Sequence, residues 1–241
     1  RRMRGIHSLF AIELSAKGRM KRALLGTLLT LLFAAFTALG IWQVYRLNWK
    51  LDLIARVDAR VHAPAVPAPA TAMISDEYRK VSATGTFLND KETLVQAVTE
   101  LGAGFWVMTP LKRADGTVIF VNRGFVPPER RRPSQHSQPT GEVSVTGLLR
   151  ISEPKGGFLR SNDPGGDRWY SRDVEAIAAA RHLAGVAPYF IDTDATANSG
   201  GYPVGGLTVI HFSNNHLVYA ITWFGLAAMT VVAAVMLYRR L

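Results

Sequence analysis

Cysteine is absent from the 241 residues. That excludes structural disulfides, a thiolate metal site and a cysteine nucleophile. Acidic residues are scarce, 18 Asp and Glu against 28 Lys and Arg, which leaves a formal net charge of +10. Catalytic signatures are missing as well: the chain has no Gly-rich phosphate loop, no HExxH and no serine in a nucleophile elbow. Its carboxylates are scattered rather than paired, and Asp192 and Asp194 read as flanking a strand end. His7, His62, His136 and His182 fall in a tail, a linker, a loop and a helix, without ligand spacing, and read as surface residues. His211 reads as a plain strand histidine. The expectation is a protein that is not an enzyme.

What the chain does have is two uncharged apolar runs, Ala23 to Trp42 (20 residues) and Leu217 to Tyr238 (22 residues). A bilayer core of roughly 30 Å needs about 20 apolar residues at helical rise, so each run is long enough to span. A signal peptide fits the first run poorly, because the stretch is long and no small-residue cleavage site follows. The charge is distributed as topology. Residues 1–22 carry seven Lys and Arg against Glu13 alone, and Arg239 and Arg240 follow the second run. From Asp192 to His216 there is no Lys or Arg. The positive-inside rule then places both ends in the cytoplasm and the middle of the chain across an inner membrane, in the periplasm. With the basicity explained in this way, no nucleic-acid partner is expected.

The helical pattern continues from Trp42 to Pro64 without Gly or Pro, and Trp42, Tyr45, Arg46, Trp49 and Leu53 share one face of it. Pro64, Pro67 and Pro69 then predict an extended linker. Five segments rich in β-branched and aromatic residues read as strands: YRKVSATGTF, ETLVQAVT, GFWVMTPLK, TVIFVNRGFV and EVSVTGLLRI. Asp115-Gly116 predicts a tight hairpin between the third and fourth. Pro127 to Thr140 reads as a solvated loop whose Arg130–Arg132 triplet is either plainly exposed or touches acidic lipid or a partner. Ser171 or Asp173 caps an amphipathic helix through Ala184, ended by Gly185. PYFID and GLTVIHF read as closing strands. The expected fold is therefore membrane α plus β: two transmembrane helices flanking an antiparallel β-rich domain, closed as a small barrel in one version, with one amphipathic helix. The expected segments are 1–22 basic and cytoplasmic, 23–42 the first span, and 43–72 a juxtamembrane helix with the Pro-rich linker. The β-rich domain follows at 73–213, the second span at 214–238 and the tail at 239–241.

His216 stands at the outer mouth of the second span, after Ser213, Asn214 and Asn215, which can cap an entering helix. Tyr219, Ala220 and Trp223 continue its face. Two readings fit: a haem-iron ligand between helices, or a member of the interfacial aromatic belt. Trp42, Arg46 and Trp49 offer a surface at the same depth on the first helix. Arg46 either pairs with a haem propionate or snorkels to lipid phosphate.

Six features in order resemble the Surfeit locus protein 1 family of cytochrome oxidase assembly factors. They are Gly40-Ile-Trp-Gln43 with Arg46 and Trp49-Lys50; Tyr78 with Gly85 and Phe87; Thr109-Pro110-Leu111; Val121 to Pro127; Arg168-Trp169-Tyr170 with Asp173; and Asn214 to Gly225. The fourth, VNRGFVP, departs from the family pattern, which commonly has Trp where this chain has Phe125. The resemblance implies a role in building haem–copper terminal oxidases, at the stage where the catalytic subunit acquires haem a or haem o, with no reaction catalysed. It implies His216 as the iron ligand, and the residues placed beside it by position, Tyr219, Trp223, Trp42, Arg46 and Trp49, are then the expected haem-binding set. The implied partners are the oxidase catalytic subunit, haem-modifying enzymes and the lipid membrane. A haem-free scaffold or resident accessory subunit of the oxidase is the alternative. Arg123 reads either as a contact to haem or the oxidase, or as part of a bulge built by Asn122-Arg123-Gly124.

Overall fold

The computed structural model describes residues 2–157, 159–210 and 212–239, with side chains from residue 19 onward. The strand histidine His211 and the terminal Arg1, Arg240 and Leu241 lie outside the described residues, as do the side chains of Arg2, Arg4, His7, Glu13 and Lys17. The chain forms two compact units, Arg1–Ile54 with His211–Leu241, and Ala55–Ile210. The first contains most of helix α1 (Arg2–His62) and all of α3 (His216–Arg239), both long and apolar enough to cross a membrane. At 1.5 Å per residue α3 is roughly 36 Å long, enough for a bilayer core. α1 continues far beyond its apolar run, as the uninterrupted pattern after Trp42 predicts. It stops two residues before Pro64, the position from which proline forbids helix.

The second unit is a small barrel. Its strands are β1 (Val66–Pro67), β2 (Lys80–Phe87), β3 (Thr93–Thr99), β4 (Gly102–Lys112), β5 (Val118–Val126), β6 (Glu142–Ile151) and β7 (Val186–Thr193). The sheet order is β1-β2-β6-β7-β5-β4-β3, and β2 also pairs with β4 through Thr86↔Lys112 and Phe87↔Leu111. That pairing closes β2, β6, β7, β5 and β4 on themselves and leaves β1 and β3 as flanking strands. Alternation along the strands sorts the core into two layers. Ile119, Val121, Tyr189 and Ile191 point into the barrel with Val81, Leu111 and Leu149. Phe120 and Phe190, one residue out of phase, pack outside it against Trp169 and helix α2 (Val174–Ala180). The Tyr189 hydroxyl donates to the Pro69 carbonyl, which ties the proline linker to the barrel interior, and burial pushes its pKa up to about 12.

Four expectations need correction. The sheet is mixed rather than antiparallel throughout, because β7 returns after α2 and inserts between β6 and β5, running parallel to β5. The linker also adds β1 parallel to β2. The described part of GLTVIHF is not a strand: β5 already has β4 and β7 beside it, so only Val204 bonds to its end, at Phe125, and residues 205–210 run on as irregular chain. α2 ends at Ala180, short of Ala184, with Asp173 as its N-cap through the Ala176 N–H at 3.2 Å. Finally, Asp192 and His136 are buried rather than peripheral.

Asn122-Arg123-Gly124 forms the bulge. Trp106 pairs with Phe125 and Met108 with Asn122, so two residues of β5 face one of β4. Gly124 has φ +123°, and a Cβ there would lie 2.2 Å from the Val204 carbonyl oxygen. Gly124→Ala is expected to cost about 2–3 kcal/mol through backbone strain and lost pairing, measured as a fall in the urea midpoint. An unchanged midpoint would show that the bulge tolerates a side chain.

Candidate functional site

In the two-helix unit, buried and half-buried positions recur every three or four residues. On α1 they include Phe36, Gly40, Gln43, Leu47 and Lys50; on α3 they include His216, Ala220, Trp223, Ala227 and Thr230. This is the spacing of a coiled-coil seam, and Gly40, Ala220 and Ala227 supply the small residues that let apolar helices approach closely. At Gly40 a Cβ would sit 2.6 Å from the Phe224 ring. Phe36 stacks on Trp223 with centroids 5.9 Å apart. Two turns further along α1, the buried Gln43 Oε1 lies 2.7 Å from His216 Nδ1. An amide oxygen only accepts, so Nδ1 is the donor in this pair and Nε2 is the ring nitrogen left without a partner in it. Two residues before His216, the buried Asn214 Oδ1 has no hydrogen-bond partner among the described residues.

The structure brings some of the expected residues together and leaves others apart. His216 is joined to Gln43, a residue within the quoted GIWQ segment that sequence reasoning gave no role. Trp223 is joined to Phe36. The Arg46 guanidinium lies over the Trp49 ring at 4.4 Å. Trp42, Trp49 and Tyr219 are 53%, 47% and 54% exposed, so each presents about half its surface outward from the helix pair. The described residues contain no group of three or more His, Asp or Glu able to chelate a metal ion. A lone histidine with a fixed tautomer suits a metal whose other ligands arrive with a macrocycle.

The barrel unit has two buried polar clusters that the sequence reading missed. Asp192 is the hub of the first. Its carboxylate accepts from Arg150 at 3.1 Å, from Arg172 at 3.0 and 3.2 Å, from Asn122 at 2.8 Å and from Thr208 at 3.0 Å. Glu153 bonds both arginines, and Glu77 bonds Arg150. Burial opposes the Arg172 charge, but Asp192 and Glu153 outweigh it and hold the guanidinium more firmly protonated than usual. The two arginines have carboxylate partners of their own, so the cluster reads as a brace between β5, β6 and β7.

The second cluster surrounds Glu92. His136 Nε2 lies 3.0 Å from Glu92 Oε1, Gln138 donates to Oε2 at 3.1 Å, and Arg123 Nη1 lies 3.8 Å away. Arg123 also donates to the Ser137 carbonyl at 2.7 Å and sits over the Phe87 ring. Burial lowers the Arg123 pKa, partly offset by Glu92. Burial works against the His136 charge too, as does Arg123, but the bond to Glu92, its negative charge and the Arg130 carbonyl prevail, so the His136 pKa is raised above 6.5. A raised histidine pKa contributes stability that is complete below about 6.5 and lost as pH climbs through the folded-state value. The chain is therefore expected to lose stability on going from pH 6 towards pH 8, and His136→Gln to flatten that slope. Urea midpoints against pH check it; an equal slope in the variant would contradict it.

Two apolar helices joined through a histidine–glutamine bond form one unit and a small mixed barrel, without a chelating metal cluster among its described residues, forms the other; together they define a helix-pair-and-barrel class of protein. The comparisons with known proteins identify the group within it. A model of the SURF1 family matches residues 30–228. Surfeit locus protein 1 of Rattus norvegicus is 40% identical over 83% of this chain and 72% of its own length. The protein of the same name from Homo sapiens is 38% identical over 91% and 79%. A SURF1-like protein of Monosiga brevicollis is 37% identical over 84% and 83%. The chain belongs to the SURF1 family.

Proposed function

We propose that this chain is a membrane-anchored assembly factor for a haem–copper terminal oxidase, which holds haem a or haem o as cargo and passes it to the catalytic subunit. The observation that carries the reading is the bond between His216 and Gln43. A ligating histidine ordinarily donates its second ring N–H to a fixed acceptor, which sets the tautomer and raises the basicity of the other nitrogen. Gln43 supplies that acceptor from the facing helix, leaving Nε2 to meet iron. When bound, haem supplies the iron that takes this ligand; the protein supplies orientation and shelter. Arg46 stacks its guanidinium face on Trp49, which leaves the N–H edge for a propionate. The outward surfaces of Trp42, Trp49 and Tyr219 offer apolar area to a macrocycle and its tail, and Trp223 backs them from the seam against Phe36.

The membrane reading is supported by α1 and α3, whose apolar windows have mean hydropathies of 2.2 and 2.1. The basic flanks favour both ends in the cytoplasm and the barrel in the periplasm of an inner membrane. The oxidase subunit and haem-modifying enzymes are then the protein partners, and the lipid bilayer is the solvent. The test is purification of the tagged chain from membranes of cells that make haem a. Co-purification of the oxidase catalytic subunit with a Soret band on the isolated chain is expected. Co-purification without pigment would replace the haem carrier with a haem-free scaffold or resident accessory subunit.

A further inference from the structure

The outer edge of β3 is covered along only part of its length. Trp169 bridges to Val95, and its carbonyl accepts from the Gln96 N–H at 2.8 Å. Among the described residues, no backbone hydrogen bond reaches that edge beyond Gln96. Along a strand in an antiparallel pair, alternate residues direct both backbone groups to the same side. The Gln96 carbonyl and both backbone groups of Val98 therefore face outward with the bonded Gln96 N–H. Natural sheets protect such edges or use them for pairing. Here Val98 is 87% exposed and no proline blunts the position; the hairpin tip two residues on carries the exposed Leu101 and the exposed Glu100.

Beside this edge lies a cleft of about 420 Å³. Ala97, Val98 and Phe105 supply its apolar wall, and Pro128 and Tyr170 frame it. Among the described residues Arg160 is its one charged lining residue; its guanidinium lies over the Tyr170 ring at 5.4 Å and reaches Gln96 Oε1 at 3.4 Å. Arg131 covers the Phe105 ring at 5.2 Å, and the exposed Arg132 follows it. Among the described residues no carboxylate lines the cleft.

We propose that this cleft is a docking site for an extended, acidic segment of a partner protein. The segment adds to β3 through main-chain bonds at Val98, as in β-strand addition. It seats an apolar side chain between Phe105 and Tyr170 and sets its carboxylates on Arg131 and Arg160. An unpaired strand edge beside an apolar slot favours a polypeptide over a lipid headgroup, which needs the arginines alone. The proposal is independent of haem binding, since every residue in it belongs to the barrel unit.

The test uses the full chain in phosphatidylcholine nanodiscs and a fluorescent, end-capped peptide that alternates Glu with Val around a central Phe. The same peptide with Lys for Glu, and one N-methylated on its bonding edge, serve as controls. Saturable binding of the acidic peptide alone is expected, weakened roughly tenfold by salt or by the double change Arg131→Glu and Arg160→Glu. That variant should instead bind the Lys peptide. No binding of the acidic peptide by the wild-type chain would overturn the proposal, as would equal binding of the N-methylated one. These peptide controls hold even if the variant fails to fold. Arginine-dependent binding of phosphatidylglycerol vesicles, with no peptide binding, would assign the face to lipid and overturn it too.

Discussion

Asp192→Ala should destabilise the barrel by about 3–5 kcal/mol, the loss expected when one member of a buried ion-pair cluster is removed. The geometry gives the reason. Asp192 is 3% exposed and accepts hydrogen bonds from two arginines, an asparagine and a threonine. Alanine leaves the positive charges of Arg150 and Arg172 beside β7 with Glu153 and Glu77 as their remaining acids, both further towards solvent. It also strips Asn122 of the acceptor that holds it at the β5 bulge. Asp163 provides the contrast. It too is bound by an arginine, Arg168, but that pair is exposed, and an exposed pair contributes little. Asp163→Ala should therefore leave the midpoint almost unmoved. Urea unfolding of the solubilised chain, followed by tryptophan fluorescence, reads both variants through the buried Trp169. Similar small losses in the two would mean that water reaches the Asp192 cluster and that burial is not what makes it strong.

The difference between those two aspartates was not legible in the sequence, and the reason is chain distance. Asp192 meets Asn122 and Arg150 from 70 and 42 residues away. Its local surroundings, IDTD, look like any strand end. His136 was hidden in the same way, since its loop is polar but Glu92 is 44 residues off. Local patterns fared better. Strands β2 to β6 follow the segments rich in β-branched and aromatic residues, the Asp115-Gly116 turn lies between β4 and β5, and α1 runs until the prolines. The parallel pairing of β5 and β7 has no local signature, because it follows from where the chain re-enters the sheet after α2. Residues 205–210 show the limit of composition: β-branched residues do not make a strand beside β5, whose two edges are already taken by β4 and β7. At the helix pair, His216 could be singled out by its place at a span entrance. Its partner Gln43 lies 173 residues earlier. The available signal was the stripe Phe36, Gly40, Gln43, in which small and polar residues interrupt an apolar helix on one face.

That stripe leads to the second large effect. If His216 ligates haem iron, His216→Ala removes the only protein ligand proposed for it, and bound pigment should disappear rather than diminish. Gln43→Leu keeps the imidazole but removes the acceptor that fixes its tautomer, and should weaken haem binding about 10- to 100-fold. The two variants separate ligation from packing. A purely structural role for the pair would leave the spectrum of any bound haem unchanged in position, whichever residue is altered. Trp42→Ala and Arg46→Ala, at outward and half-buried positions, probe the apolar wall and the propionate contact respectively. The most direct measurement is the visible absorption spectrum of the chain purified from haem a-producing membranes, wild type beside His216→Ala. A Soret band in the wild type that is absent from the variant is the predicted result; an undiminished band of unchanged position in His216→Ala would contradict the assignment of His216 as the iron ligand.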